Sequence, residues 1–388
     1  MALGPAALHL PPGLSGPIGV ALSGGGDSVA LLHLLRAAGH RVEAATVDHG
    51  LRPESADEAA AVAADCARIG IPHRVLPWNH GATVPGNLME AARLARRALL
   101  SDWAAERGLV AVALGHTADD QAEALLIGLS RAAGIDGLCG MRPDWTTGGV
   151  RWLRPMLGIT RSDLRLWLAG QGIGWIEDPS NGNDRYLRAR VRKALATLSP
   201  LGLTPDRLAA SAAHLAQARA ALDAAVAEAA ARVCHEEAGA LRIDAVGFAA
   251  LPGEIARRLL RTAILWLTGA DHAPRAAALA RLAQAVVQGR DATLAGCRLK
   301  RGWLARQPGW PDPRWQMAVP PGLERRALGA EGLRACPDWR ATGLPRHVLE
   351  VTPALWQGGT LIAAPSAAFG LRTDATCTPA FGAFLLSH

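Results

Sequence analysis

Short, largely apolar segments alternate with amphipathic ones through the first two hundred residues of the chain. Residues 17–22, 41–47, 73–78 and 109–114 read as strands. Residues 28–38, 54–69 and 88–107 carry apolar positions at helical spacing, and Gly115-His116-Thr117 leads into another helix. Strand and helix repeated in this order predict an α/β architecture, a parallel sheet of Rossmann-like form. Ligands of such sheets bind beyond the carboxyl ends of the strands. Those ends carry residues 23–28, 48–50 and 116–120, so three polar clusters are expected on one edge.

The pattern changes at Ser199-Pro200-Leu201-Gly202 and Thr204-Pro205, a boundary written in turn residues. Residues 206–233 then read as one long alanine-rich helix. A small module of mixed α/β or α type follows to about 310, with helices at 254–267 and 275–287. Residues 308–313, Pro-Gly-Trp-Pro-Asp-Pro, break the chain again. The remainder to 388 has short β-like runs such as 347–351, which predicts a β-rich C-terminal domain. The expected domains are therefore 1–200, a connecting helix 201–233, a central module 234–310 and a C-terminal domain 311–388.

Composition removes several classes. Of the 388 residues 50% are hydrophobic, enough for sizeable cores, and the formal net charge is +7. Of 41 basic residues only Lys193 and Lys300 are lysine. A Walker-type site places lysine directly after its glycine loop, and neither lysine follows a glycine cluster. A conventional P-loop ATPase is excluded. Six cysteines stand singly with no C-x-x-C pair, against zinc ribbons and thioredoxin-like motifs and in keeping with a reducing compartment. The first sixteen residues lack a basic n-region and are broken by Pro5, Pro11 and Pro12, unlike a signal peptide. No apolar run reaches membrane-spanning length, so a cytoplasmic protein is expected.

Ser23-Gly24-Gly25-Gly26-Asp27-Ser28 joins a strand to a helix. Its glycines let backbone amides turn inward at a helix N-terminus, which suits phosphate. Asp27 is out of place among phosphates unless a cation bridges them, which points to Mg²⁺. The string resembles the pyrophosphatase loop of the N-type (PP-loop) ATP pyrophosphatases. Val47-Asp48-His49-Gly50-Leu51-Arg52-Pro53-Glu54-Ser55 and His116-Thr117-Ala118-Asp119-Asp120-Gln121-Ala122-Glu123 resemble two further signatures of the tRNA(Ile)-lysidine synthetases within that group. Trp175-Ile176-Glu177-Asp178-Pro179-Ser180-Asn181, with Arg188 and Arg190 after it, matches a fourth. The likeness is close over residues 17–195 and looser through 234–306, where residues 292–299 resemble that family's central domain.

The resemblance implies an enzyme that uses ATP to adenylate the wobble cytidine of the isoleucine tRNA with a CAU anticodon. The side-chain amine of free L-lysine then displaces AMP. It implies ATP contacts from Ser23, Gly24, Gly25, Gly26, Asp27, Ser28, Asp48, His49 and His116, with Mg²⁺ on Asp27. Asp120 and Glu123, three apart at a helix start, are implied to hold the lysine ammonium. Ordinary acids complementing a helix dipole remain the alternative for that pair. His116 is open between phosphate contact and a neutral core position, Asp119 between site and cap, and Asp48-His49 between nucleotide contact and turn. Arg96 matches the family's arginine for phosphate charge, making it catalytic with Asp27, Asp120 and Glu123; Arg97 stands where the family usually has tyrosine. Asp178, Asn181, Arg188, Arg190 and Arg192 are expected either to meet tRNA phosphates or to form an exposed face. The C-terminal domain is expected to bind tRNA too, and a homodimer is left open.

Two other readings compete: a PP-loop tRNA thiolase, disfavoured by the unpaired cysteines, and an inactive tRNA-binding protein on the same scaffold. Charge placement favours a nucleic-acid partner. Residues 1–150 carry 11 basic and 15 acidic side chains, whereas 151–200 carry 9 and 4, and 251–306 carry 10 and 3. Coding bias accounts for arginine over lysine but not for where the arginines fall.

Overall fold

The computed structural model describes residues 3–50, 54–80, 87–177, 187–270, 272–309 and 312–387. The chain divides into two compact units, Met1–Arg219 and Ala220–His388. In the first, β1 (Ile18–Ala21), α1 (Gly26–Ala37), β2 (Val42–Asp48), α2 (Ser55–Arg68), β3 (His73–Pro77), α3 (Leu88–Glu106), β4 (Ala111–Ala113) and α4 (Ala118–Ser130) follow the expected order. The ends lie within about two residues of the sequence reading, and β4 is the most shortened because only its middle pairs with β1. Then come α5 (Ile135–Leu138), β5 (Asp144–Thr147), β6 (Val150–Leu153), α6 (Arg161–Gly170) and α7 (Leu187–Leu198), followed by α8 (Pro205–Val233), within which the division between the units falls.

The sheet order is β3-β2-β1-β4-β6-β5. Every pair is parallel except β5 with β6, a hairpin absent from the sequence reading. Side chains alternate across the strands. Ile18 and Val20 of β1 enter one core with Leu31, Leu34 and Leu35 of α1 and Leu164 and Leu168 of α6. Ala21, Ala45 and Val112 enter the other, with Leu100 and Trp103 of α3 and Trp152 of β6. Each such leucine contributes about 1.5–3 kcal/mol by leaving water. Burial on both faces explains why the strands read as apolar runs rather than alternating ones.

In the second unit β7 (Cys234–Glu237), β8 (Ala240–Ile243), β9 (Ala292–Leu294), β10 (Cys297–Lys300) and β11 (Trp303–Arg306) form an antiparallel sheet in the order β7-β8-β11-β10-β9. Helices α9 (Ala245–Ala249), α10 (Gly253–Thr268) and α11 (Ala276–Val287) share its core, in which Phe248, Leu259, Trp266 and Leu304 are buried. Next come β12 (Trp315–Met317), β13 (Glu324–Ala327), α12 (Gly329–Arg334), α13 (Arg346–Leu349), β14 (Pro353–Gln357), β15 (Thr360–Ala364), β16 (Phe369–Gly370), β17 (Ala375–Cys377) and α14 (Phe381–Ser387). The run 347–351, expected as β-like, is instead mostly α13. Pro345 is its N-cap, and its carbonyl accepts from the Val348 and Leu349 amides at 3.0 and 3.2 Å, closing a helical turn where a strand was expected. Among the described residues no helix is long and apolar enough to cross a membrane.

Candidate active site

Strand order reverses at β1, which pairs with β2 on one side and β4 on the other. The chain leaves both β1 and β4 into helix N-termini, the position where open α/β sheets bind ligands. Ser23–Ser28 turns from β1 into α1. Gly24 has φ +82, and a Cβ there would come within 2.8 Å of Val62 and 2.9 Å of Ile176, so both backbone and space require glycine. The Ile176 amide donates to the Gly24 carbonyl at 2.9 Å. The loop after β4 comes equally close: a Cβ on Gly115 would lie 3.0 Å from the Ser28 nitrogen and 3.1 Å from the Asp27 carbonyl. Backbone therefore touches backbone between the two loops. Ser28 is buried and donates its hydroxyl to the Gly25 carbonyl (2.9 Å) while accepting from the Ser23 amide (3.1 Å). Its hydrogen is committed to shaping the loop, whereas Ser23 Oγ meets Ser28 Oγ at 3.2 Å.

One side of the site is cationic. Arg154, directly after β6, donates through Nε to His116 Nδ1 at 3.0 Å and through Nη1 to the Arg142 carbonyl at 2.8 Å. Its guanidinium lies 4.0 Å over the Trp145 ring, which stacks with Trp152. Because Nδ1 accepts, the proton of neutral His116 resides on Nε2, a donor without cationic charge. Burial, followed by Arg154, pulls the imidazole down to about 4, and burial pulls Arg154 to about 10. Arg96 on α3 is half-buried, and burial lowers its pKa too. It is close enough to His49 and His116 to depress both. Among the described residues Arg96 has no hydrogen bond or carboxylate partner. An uncompensated guanidinium beside neutral imidazoles suits an anion.

His116 gives a pH prediction. Its folded pKa lies below the free value of 6.5, so its contribution to stability is full above pH 6.5 and is lost as pH falls toward 4. Urea midpoints should therefore separate wild type from His116→Gln more at pH 7.5 than at pH 5.

The other side is acidic and is built around a residue absent from the sequence reading. Arg161, first residue of α6, donates through Nε to Asp27 Oδ2 (3.0 Å), through Nη1 to Glu123 Oε1 (3.0 Å) and through Nη2 to Asp120 Oδ1. Arg192 of α7 donates through Nε to the same Glu123 oxygen at 2.6 Å. Leu195, one turn further along α7, packs with Ala122 and Leu125 of α4 and holds the two helices together there. Asp120 Oδ2 accepts from the Thr117 amide and hydroxyl at 2.9 and 3.0 Å, completing a capping box. Asp119 Oδ2 accepts from the Arg161 amide at 2.8 Å, so it caps α6 rather than its own helix. Burial raises Asp27 above the usual carboxylate range despite Arg161. For Asp120, Arg161 and the Thr117 bonds outweigh burial, and its pKa falls. Glu123 is 1% exposed, and its Oε2 has no partner among the described residues.

Asp27, His116, Asp120 and Glu123 thus come together at the ends of β1 and β4. Arg192, expected beside tRNA phosphates, is drawn to Glu123 because the inward face of α7 carries it. Arg188 and Arg190 on the same helix are exposed. Asp48 Oδ1 accepts from the Gly50 amide at 2.9 Å, a local turn that, with the Ser55 hydroxyl, lowers its pKa. His49 is half-buried with Nδ1 unpartnered, its ring edge-on to Trp78 at 6.0 Å. Asp178 and Asn181 lie outside the described residues. Burial pushes Cys66 and Cys377 up to about 11 and Cys234 and Cys297 to about 12, so these thiols are poorly suited to sulfur transfer at neutral pH.

The model of the PP-loop domain family matches residues 12–198. The tRNA(Ile)-lysidine synthase of Ruegeria pomeroyi is 46% identical over 397 residues, covering 96% of this chain and 94% of that protein. Those of Methylobacterium sp. and Zymomonas mobilis are 43% and 40% identical, covering 68% and 73% of the chain and 77% and 85% of their own lengths. The phosphate-type loop and its paired cationic and acidic sides lie within a likeness that runs nearly from end to end, and the chain belongs to the tRNA(Ile)-lysidine synthase family.

Proposed function

We propose that the protein ligates free L-lysine to the wobble cytidine of the CAU-anticodon isoleucine tRNA, giving lysidine, AMP and pyrophosphate. The observation that carries this reading is that His116 lies within electrostatic reach both of Arg96, a guanidinium with no carboxylate partner among the described residues, and of Asp120 in the carboxylate cluster Asp27–Asp120–Glu123. The first suits the phosphates of ATP and the second a cationic amine. In the first step the cytidine 2-oxygen attacks the α-phosphate and pyrophosphate leaves. Amides at the start of α1, with Ser23 and Arg96, take up phosphate charge, and His116 offers its Nε2 hydrogen. In the second step the lysine ammonium gives up a proton to the Asp120–Glu123 pair, the neutral amine attacks C2, and the C2–O bond breaks as AMP departs with the former carbonyl oxygen. Asp120 and Glu123 hold the amine for that attack.

Asp27 fits Mg²⁺: burial disfavours its bare charge, and its Oδ1 has no hydrogen bond among the described residues. When bound there the ion would offset phosphate charge. Among the described residues no group of three or more His, Cys, Asp or Glu could hold a metal by itself, so ATP oxygens would supply the other ligands. Exposed Arg188 and Arg190, the module 234–310 and the domain 311–388 are the proposed tRNA contacts, with 1–200 as catalytic domain and 201–233 as connector. The protein is expected to act in the cytoplasm.

The test combines ATP, radiolabelled lysine and an isoleucine tRNA transcript bearing CAU. Lysine should enter the tRNA, and Asp27→Ala should abolish incorporation. AMP formation that depends on a sulfur donor, without lysine incorporation, would favour a thiolase instead.

A further inference from the structure

Arg161 breaks a local rule. It is the first residue of α6, where the helix field favours acids and disfavours a cation. Nothing in the helix explains it, and Asp163 and the Thr160 cap already serve the helix start. What explains it is the site. Its three nitrogens each reach a different carboxylate, on two helices that start from different strands. The side chain is 18% exposed, between carboxylates exposed by 27% (Asp27), 9% (Asp120) and 1% (Glu123). An ammonium would have to direct its three hydrogens from a single nitrogen; the planar fork offers three separate nitrogens, one to each carboxylate.

We propose that Arg161 is a positioning residue that occupies, as an internal cation, one oxygen of each carboxylate in the amine site, and so limits how tightly a substrate ammonium is held there. The inference rests on the proposed assignment of Asp120 and Glu123 to lysine. With Arg161 in place, Asp120 has both oxygens engaged, by Arg161 and by Thr117. Glu123 Oε1 is shared by Arg161 and Arg192, leaving buried Oε2 without a partner. An incoming amine therefore finds a cluster already partly neutralised, with Glu123 Oε2 as the remaining acceptor of the Asp120–Glu123 pair among the described residues and Asp27 Oδ1 left to Mg²⁺. That restraint matters because the amine carries its charge only before attack. Binding energy given to the ammonium and lost in the transition state lowers KM and slows the reaction.

The opposing signs make the idea testable. Arg161→Gln takes the guanidinium from three carboxylate oxygens and vacates two of them, Asp27 Oδ2 and Asp120 Oδ1, since Glu123 Oε1 keeps Arg192. The KM for lysine should fall by about threefold or more, while kcat falls by about tenfold or more. Arg161→Lys keeps the charge without the fork and should lie between the glutamine variant and wild type in both constants. Thr160→Ala serves as control: it removes the α6 cap, lowers thermal stability, and should leave lysine KM within about twofold of wild type. A KM that rises in either Arg161 variant, or that stays at the wild-type value, overturns the proposal and leaves Arg161 a structural tie. If Arg161→Gln fails to fold, the lysine variant decides by the same criterion. Wild-type protein that incorporates no lysine overturns the proposed function itself, a failure distinct from any shift in the variants.

Discussion

Replacing Glu123 with alanine is expected to end lysine transfer and to cost the fold about 3 kcal/mol, measured as a shift in urea midpoint at unchanged slope. Glu123 is the most deeply buried of the three carboxylates, and one of its oxygens accepts from two guanidiniums. Alanine leaves Arg161 with only Asp27 and Asp120 and takes away the carboxylate that Arg192 pairs with. Removing one member of a buried ion pair costs far more than the pair itself contributes, because the remaining charge stays desolvated. Glu123→Gln separates the two effects. The amide keeps the shape and an acceptor for Arg161 and Arg192, so much of the stability should return. Without a charge to hold an ammonium, lysine transfer should stay about a hundredfold or more below wild type. A glutamine variant with near-normal transfer would remove Glu123 from the amine site.

Arg96→Met carries the second large effect, with the opposite sign for stability. Arg96 is half-buried and, among the described residues, has no carboxylate to compensate it, so the ligand-free fold bears a desolvation cost. Methionine is of similar reach and apolar, and the variant should be at least as stable as wild type, by up to about 1 kcal/mol. Its adenylation step should nonetheless fall by about 10²–10³, since a preorganised donor for developing phosphate charge is gone. Formation of pyrophosphate in the presence of tRNA reads that step without lysine. A variant both destabilised and active would mean that Arg96 is a packing residue of α3. Glu123 and Arg96 thus mark two ways of supporting function: one paired internally through a single oxygen, the other, among the described residues, left without a counter-charge for a ligand.

The alternation of strands and helices, the glycine loop and the Asp120/Glu123 spacing were all visible in the chain because each is local. What stayed hidden is the fourth strand end. Hairpin β5–β6 is only four residues a side, too short for a periodic signal, and only the pair Gly148-Gly149 between the facing Trp145 and Trp152 marks its turn. With β6 unseen, Arg154 and Arg161 had no reason to be placed at the ligand edge. Arg161 is also 134 residues from Asp27, a pairing that no spacing rule reaches. Arg192 was read with its exposed neighbours Arg188 and Arg190 as one basic stretch. Helical geometry divides that stretch, turning the residue three before buried Leu195 inward.

The two ends of the six-stranded sheet bear on how the chain behaves at high concentration. Unpaired strand edges invite the edges of other molecules, the usual route to ordered aggregates. Here β3 ends in Pro77, which has no amide hydrogen to offer, and presents exposed Arg74 in an ion pair with Glu106. At the far side β5 is four residues long and carries Asp144, tied to Arg151 at 2.5 Å. A sheet whose inner strands are almost wholly apolar is thereby closed by charge, brevity and a missing donor. The hydrophobic strands that build the ligand edge remain compatible with solubility because neither outer strand offers a long, uncharged template to a second copy.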